Sequence, residues 1–282
     1  MYYILLNKKS KNATNNEELQ KVLALFEGKE TEVIDVIGLD YNELFKKVSS
    51  DDEITLVGGD GTLNHFVNDV HDLTLPCKVY FYTNGTGNDF FNDMEKYVEN
   101  KRVYLNDVIK DLPYCIVNEK KYYFVNGIGY GIDGYCCEEG DRLQAKSDKP
   151  VNYTSIAIKG LLFHYKAPNA KVTVDGVTKE YKKVWLAPTM LGRFYGGGMM
   201  VAPSQSRFDE NHLLSNVVLH GSGKLKTLMI FPGIFKGEHV KHVKHVEIRT
   251  GHDFVVEFDK PTALQVDGET IVGVTRYEVH AK

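Results

Sequence analysis

"LVGGDGTLNHF", residues 56–66, decides how the first half of the chain is read. The residues leading into it, Ile54-Thr55-Leu56-Val57, form a short apolar run that stops at Gly58-Gly59. Such a run reads as a buried parallel strand entering a tight turn. Beyond the turn, apolar residues recur at 63, 66, 67 and 70, the spacing of an amphipathic helix over 62–72. A strand, a glycine turn and a helix N-terminus together present backbone N–H groups and the positive end of a helix dipole, which is an anion site. Glycine lets a phosphate come close to the backbone. No Gly-Lys-Ser/Thr occurs in the chain, so this is not a Walker A loop. Asp60 would repel an anion bound there unless a divalent cation lay between carboxylate and phosphates, and magnesium is the usual choice. The alternative is a plain turn in which Asp60 caps the helix.

Outward from this stretch, the first hundred residues alternate strand and helix signals. Strands are predicted at 2–6, 32–37, 54–57 and 78–83, and helices at 16–27, 41–48, 62–72 and 88–92. That alternation indicates a parallel sheet covered by helices. After about residue 114 period-two runs dominate, with Asn118-Glu119 and Asp175-Gly176 where hairpin turns are expected. Helices are predicted at about 151–164 and 224–236. The expected fold class is therefore α/β plus β. Residues 1–114 form an N-terminal parallel α/β domain, and 115–282 an antiparallel, β-sandwich-like domain carrying a few helices. Whether the extreme C-terminal strand rejoins the first domain is left open.

Composition excludes several classes. A net charge of −4 argues against a nucleic-acid binder working through bulk charge. Lys8-Lys9, Lys182-Lys183, Lys224 and Lys226 read as solvated surface. No stretch approaches the ~18 consecutive apolar residues of a membrane span. The six-residue apolar start is too short for a signal peptide and reads as a first strand. Four cysteines, with Cys136 and Cys137 adjacent, match neither a disulfide framework nor zinc spacing, so a cytoplasmic setting is expected. His239, His242 and His245 recur at spacing three, which drifts round a helix and alternates across a strand, as a metal cluster would not. "GRFYGGGMMVAP", 192–203, reads as the lining of a lipid-acyl cleft or as a bulged strand and loop.

A second glycine turn, "TNGTGNDFF" at 83–91, follows strand 78–83 one βα unit after the first. Parallel neighbours put both turns at the carboxyl edge of the sheet, where open α/β sheets bind ligands. Thr86 offers a hydroxyl, and Asn88 and Asp89 offer polar groups at the helix start, with helix capping the alternative for Asp89.

"GGDGTLN" followed by "NGTGNDF", with "LQVDGE" at 264–269, resembles the catalytic domain of the diacylglycerol kinases, shared with sphingosine and ceramide kinases and bacterial soluble lipid kinases. The resemblance extends across nearly the whole chain. It implies a kinase using ATP and magnesium, with residues 1–114 as the nucleotide-binding domain and 115–282 as the lipid-substrate domain. On these motifs Gly58, Gly59, Gly61 and Thr62 fall on the phosphate loop, Asp60 is linked to the catalytic magnesium, and Thr86, Asn88 and Asp89 belong to the nucleotide site. Glu269 falls on the proposed general base, with Asp267 in the same acidic cluster; a hairpin turn is the alternative for "DGE". The family's early segment is represented by Asn7 and Ser10, without its proline and glycine. The junction aspartate is replaced by Asp107, Asp111 or none, since Cys115 stands at the ungapped position. The bacterial structural-metal loop is represented by Asp209 and Glu210, where Asn211 replaces a glycine.

The expected function is phosphorylation of the hydroxyl of diacylglycerol or a similar lipid at a membrane surface, with transient membrane association and a cleft between the halves as the site. The rivals are an NAD kinase-like small-molecule kinase and a nucleotide-binding regulatory protein without catalysis.

Overall fold

The computed structural model describes residues 1–8, 16–85, 87–146 and 151–282, omitting the side chains of 16–18 and 154. Its contacts divide the chain into Met1–Leu112 and Pro113–Lys282.

In the first unit the elements run β1 (Tyr2–Leu6), α1 (Asn16–Ala24), β2 (Thr31–Asp35), α2 (Tyr41–Phe45), β3 (Glu53–Gly58), α3 (Asp60–Val70), β4 (Lys78–Thr83), α4 (Asp89–Asp93), β5 (Val98–Glu99) and β6 (Arg102–Tyr104). The sheet order is β2-β1-β3-β4-β6-β5, the first four strands parallel and the last two antiparallel. The sheet is thus mixed rather than wholly parallel. Strands of two and three residues carry no readable periodicity, and sequence gave no sign of β5 or β6. Both faces are buried, as the unbroken apolar runs of β1 and β3 require. Ile4, Leu6, Val22, Phe26, Val57 and Tyr82 form one cluster, while Leu5, Ile54, Leu56, Leu63, Phe66 and Phe81 are also inaccessible or nearly so. Arg102 is held among Glu53, the Thr55 hydroxyl at 3.0 Å and the face of Tyr80 at 4.4 Å. Those contacts tie the β6 edge back to β3 and β4.

The second unit contains β7 (Tyr114–Val117), β8 (Lys120–Tyr123), β9 (Gly127–Tyr130), α5 (Ile132–Gln144), α6 (Tyr153–Lys159), β10 (Ala170–Val174), β11 (Val177–Tyr181), β12 (Thr189–Met190), β13 (Phe194–Tyr195), β14 (Met199–Met200), β15 (Leu214–Leu219), α7 (Lys224–Ile230), β16 (Val246–Gly251), β17 (Asp253–Val266) and β18 (Glu269–His280). One antiparallel path runs β16-β15-β12-β9-β17-β18-β7-β8, and β10-β11 branches from β17. The branch follows from irregularities in the β17–β18 register between Glu257 and Leu264. Before the bulge β17 pairs β10 through Phe254–Phe258, and beyond it pairs β9 through Leu264–Val266. A bulged strand shared in this way turns a sheet onto itself and encloses a core. There Tyr130 stacks on Phe258 at 4.1 Å, beside Tyr277, Val256 and Val172.

The hairpin turns expected at Asn118-Glu119 and Asp175-Gly176 are present, each with two positive φ angles. α6 continues into a π turn at Gly160–His164 and α7 into a 3₁₀ turn at Phe231–Lys236, close to the expected helices. α5 was missed, because two glycines and polar residues at 132–144 interrupt its apolar spacing. The last strand, β18, pairs with β17 and β7 in the second unit, so it does not rejoin the first.

Candidate functional site

The order β2-β1-β3-β4 fixes where a ligand site can form. The chain steps outward from β1 to β2, then returns past β1 to β3 and continues to β4. The direction reverses between β1 and β3, and open α/β sheets bind ligands at the carboxyl ends of such a pair. Leu6 pairs with Val57, and Gly58 with Thr83, so Asn7, Gly59 and Asn84 leave the sheet along one edge.

The two glycine turns are joined there. The Asn84 N–H donates to the Gly58 carbonyl at 2.7 Å. A Cβ on Gly85 would stand 2.7 Å from the Gly59 Cα, so backbone meets backbone and no side chain fits. Asp60 is the first residue of α3 rather than part of the loop before it. Its Oδ2 accepts the Asp89 N–H and its Oδ1 the Phe90 N–H, both at 3.0 Å. The Asp60 carboxylate therefore faces the N-terminus of α4, where negative charge is favourable. The alternative reading, a cap on its own helix, does not hold: Gly59 is the N-cap of α3, with no side-chain cap bond, and the Asp60 carboxylate bonds across to the neighbouring helix. Asn88, left-handed at φ 54°, accepts from the Thr83 hydroxyl at 2.5 Å. Asp89 is the buried first residue of α4, and the N-cap before it, Asn88, makes no side-chain cap bond. The α3 ladder begins with the Leu63 N–H to the Gly59 carbonyl at 3.1 Å, so the amides of Gly61 and Thr62 lie in the turn ahead of it, as an anion site requires.

Among the described residues no group of three or more His, Cys, Asp or Glu converges to hold a metal. Ser10 and Thr86 lie outside the described residues.

In the second unit, "DGE" is a two-residue hairpin turn. Asp267 and Gly268 have φ 47° and 96°, and Val266 pairs with Glu269. Asp267 is buried, and its carboxylate accepts the N–H groups of Val125, Asn126 and Gly127 at 2.6, 2.8 and 2.9 Å. Three backbone bonds make it a positioning group that fixes the entry to β9. Glu269, the first residue of β18, is exposed. The two acids thus part company: one anchors the turn and the other reaches solvent.

Other expectations resolve differently. Asp209 Oδ1 accepts the Asn211 and Leu213 N–H groups at 3.0 and 3.2 Å, closing its own loop. Asp209 and Glu210 belong to no group of three or more His, Cys, Asp or Glu among the described residues. His239 is buried with Nε2 2.9 Å from the Val201 carbonyl, and His245 Nδ1 lies 3.2 Å from the His220 carbonyl, so these side chains serve separate backbone groups. Gly196–Gly198 forms the turn of the β13–β14 hairpin, all three at positive φ. Cys115 is a core residue of β7 whose thiol is pushed up by burial; Asp107 is exposed and Asp111 half-buried.

One charged group was missed by sequence reading. Asp133, in the first turn of α5, is buried, and neither carboxylate oxygen makes a hydrogen bond of good geometry, although the amides of Asp133 and Gly134 and the Gln265 side chain lie close. The carboxylate lies against Gly129, where a Cβ would come within 1.7 Å of Oδ2. Burial raises its pKa to about 6, against the opposing pull of the Asp133 and Gly134 amides and of Gln265. "GIGYGIDG" at 127–134 carried the signal: glycine at every second position ahead of an acid leaves room for it.

Comparison with known proteins agrees with this geometry. The diacylglycerol kinase catalytic domain matches residues 1–110, and the YegS C-terminal NAD kinase beta sandwich-like domain matches 126–279. A diacylglycerol kinase of Mycobacterium tuberculosis is 22% identical over 222 residues, covering 74% of this chain and 70% of that protein. A crystal structure of a diacylglycerol kinase from Bacillus anthracis superposes with a TM-score of 0.62 at 16% identity, covering 99% of this chain and 93% of that one. That structural likeness bears on the fold alone.

Proposed function

This chain belongs to the diacylglycerol kinase catalytic-domain family, and from that premise we propose that it transfers the γ-phosphate of ATP to the hydroxyl of diacylglycerol or a similar lipid. The observation that carries the reading is the joined pair of glycine turns at the β1/β3 switch point, where Asp60 spans from α3 to α4.

Gly58, Gly59, Gly61 and Thr62 receive the phosphates on backbone N–H groups, with Asn88 and Asp89 beside them; Thr86 is assigned to the nucleotide by its place in the family motif alone. Asn7, just past β1, extends the same edge toward the nucleotide, and Ser10 is assigned there by its place in the family motif alone. Asp60 and Asp89 would hold magnesium, which when bound neutralises charge on the β- and γ-phosphates. Glu269 accepts the proton of the attacking hydroxyl. The new bond forms between that oxygen and the γ-phosphorus as the bond to the β–γ bridging oxygen breaks, and ADP departs. Asp267 holds the turn that presents Glu269.

The second domain's likeness to NAD kinases keeps one rival in view. Incubating the purified chain with ATP and magnesium, offering diacylglycerol, other hydroxyl lipids in mixed micelles, and NAD, separates the readings. Label transferred to a lipid is the expected result. Label on NAD alone, or tight ATP binding without transfer to any acceptor, rejects the proposal.

A further inference from the structure

An enzyme that acts on bilayer lipid has to meet the bilayer, and one face of the second unit has the side chains to do so. α7 turns Thr227 and Ile230 inward and leaves Leu225 75% and Met229 74% exposed. These are i and i+4 on one helix face. The π turn after α6 packs against α7, and the Lys224 Nζ donates to the Leu162 carbonyl at 2.8 Å. The next residue, Phe163, is 71% exposed. A π turn is rare and marks functional sites more often than structural ones. The base beneath is fixed: Trp185 Nε1 donates to the Ser222 carbonyl at 3.0 Å, and the Ser222 and Thr227 hydroxyls meet at 2.6 Å.

The segments that carry this apolar face are basic, and the acids nearest in contact, Glu138, Glu139 and Asp141, lie on α5, which packs against α6 and the π turn. Residues 151–170 and 211–237 contain no Asp or Glu, although the chain as a whole carries net −4. Lys159, Lys166, Lys224 and Lys226 lie in those segments and are exposed. Lys182 and Lys183 adjoin them, because both of their carbonyls accept the Gly221 N–H just before α7. These pairs are thus more than scattered surface charge. Protruding apolar side chains within a ring of lysines match an anionic bilayer, whose acyl boundary takes the former and whose headgroups attract the latter.

We propose that Leu225, Met229 and Phe163, flanked by these lysines, form the surface by which this protein docks on membranes containing anionic lipid. The proposal rests on the lipid-kinase reading for its purpose, but its test does not depend on catalysis. The full chain would be sedimented with vesicles of phosphatidylcholine, alone or mixed with phosphatidylglycerol. Wild type should bind the mixed vesicles and lose binding as salt rises. Leu225→Glu with Met229→Glu should weaken partitioning at least about tenfold. Lys159→Glu with Lys226→Glu should weaken binding to anionic vesicles selectively. Unchanged thermal unfolding establishes that each variant is folded, and Phe163→Ser gives an independent reading if one is not.

Transfer to a lipid dispersed in detergent micelles should survive all these changes. Three results overturn the proposal: wild type that ignores anionic vesicles, apolar variants that sediment as wild type does, or variants that change only self-association in the ultracentrifuge. A chain that docks through these residues yet phosphorylates no lipid rejects the proposed function and leaves the docking surface standing.

Discussion

Asp60 and Asp133 show how differently one side chain is used at its two sites. The carboxylate of Asp60 accepts two N–H groups from the start of α4, so it holds the second glycine turn as well as facing the phosphate edge. Hydrogen bonds to a charged acceptor contribute about 1.5–3 kcal/mol each. Asp60→Ala is therefore expected to abolish transfer and also to destabilise the first unit by about 2–4 kcal/mol. Asp60→Asn, which keeps one acceptor, should be equally inactive but less destabilised. Urea melts of the two beside their activities test this, and an Ala variant as stable as wild type rejects the bridging role. Asp133 has the opposite setting. Its folded pKa is raised to about 6 from an ordinary 3.8 because burial disfavours the charge, with Tyr165, Tyr277, Cys136 and Cys137 as its titratable neighbours. Below the lower value both folded and unfolded chains hold the proton. Between the two only the folded chain does, so stability falls as pH rises, and above about 6 the full penalty applies. Asp133→Asn, always neutral, should match wild type near pH ~4 and exceed it by about 2–3 kcal/mol at pH ~8. Parallel pH profiles for the two proteins would rule this out.

At the scale of elements, the strand–turn–helix pairs were legible and the joints between them were not. "LVGGDGTLNHF" and "TNGTGNDFF" each declare a strand ending at glycine, because β-branched runs and glycine are local signals. That Asp60 reaches α4 depends on Gly59 and Gly85 lying backbone to backbone, which no local pattern encodes. The same holds for the hairpin at 267–268. Its turn chemistry is readable, while the three amides that Asp267 accepts lie about 140 residues earlier. α5 was hidden because its glycines make room for neighbours rather than shape the helix. The joint between the glycine turns gives a direct test. Gly85 is not at positive φ, so only space forbids a side chain there. Gly85→Ala must push the two turns apart, costing about 1–3 kcal/mol in the manner of an overpacked core. ATP affinity measured by calorimetry should fall with it. Retained affinity and stability would show that the turns do not need their close approach.

Across the whole molecule, the sequence separates an α/β half from an antiparallel half because helical and period-two patterns occupy different stretches. The path of the second sheet was out of reach, since β17 changes partners at a bulge and strands from 127 to 266 meet only in the fold. The acids of "VDGE" illustrate what this means for chemistry. Read as a string, Asp267 and Glu269 are equivalent candidates. In the fold Asp267 is committed to the backbone of β9, whereas Glu269 is exposed at the start of β18. Of the two, only Glu269 has the exposure that the proposed base requires. Glu269→Gln keeps the shape of the side chain and removes its basicity. Turnover should fall by ~10²–10⁴, the usual contribution of general-base catalysis. ATP affinity should stay near wild type, because the phosphates are received by the turns of the first unit. Asp267→Asn should instead lower stability, since an amide oxygen replaces a carboxylate that serves three donors. Measuring turnover, ATP binding and thermal unfolding on both variants distinguishes base from anchor. If Glu269→Gln loses ATP affinity while turnover at saturation is unchanged, Glu269 binds nucleotide, and the proton must leave by another route.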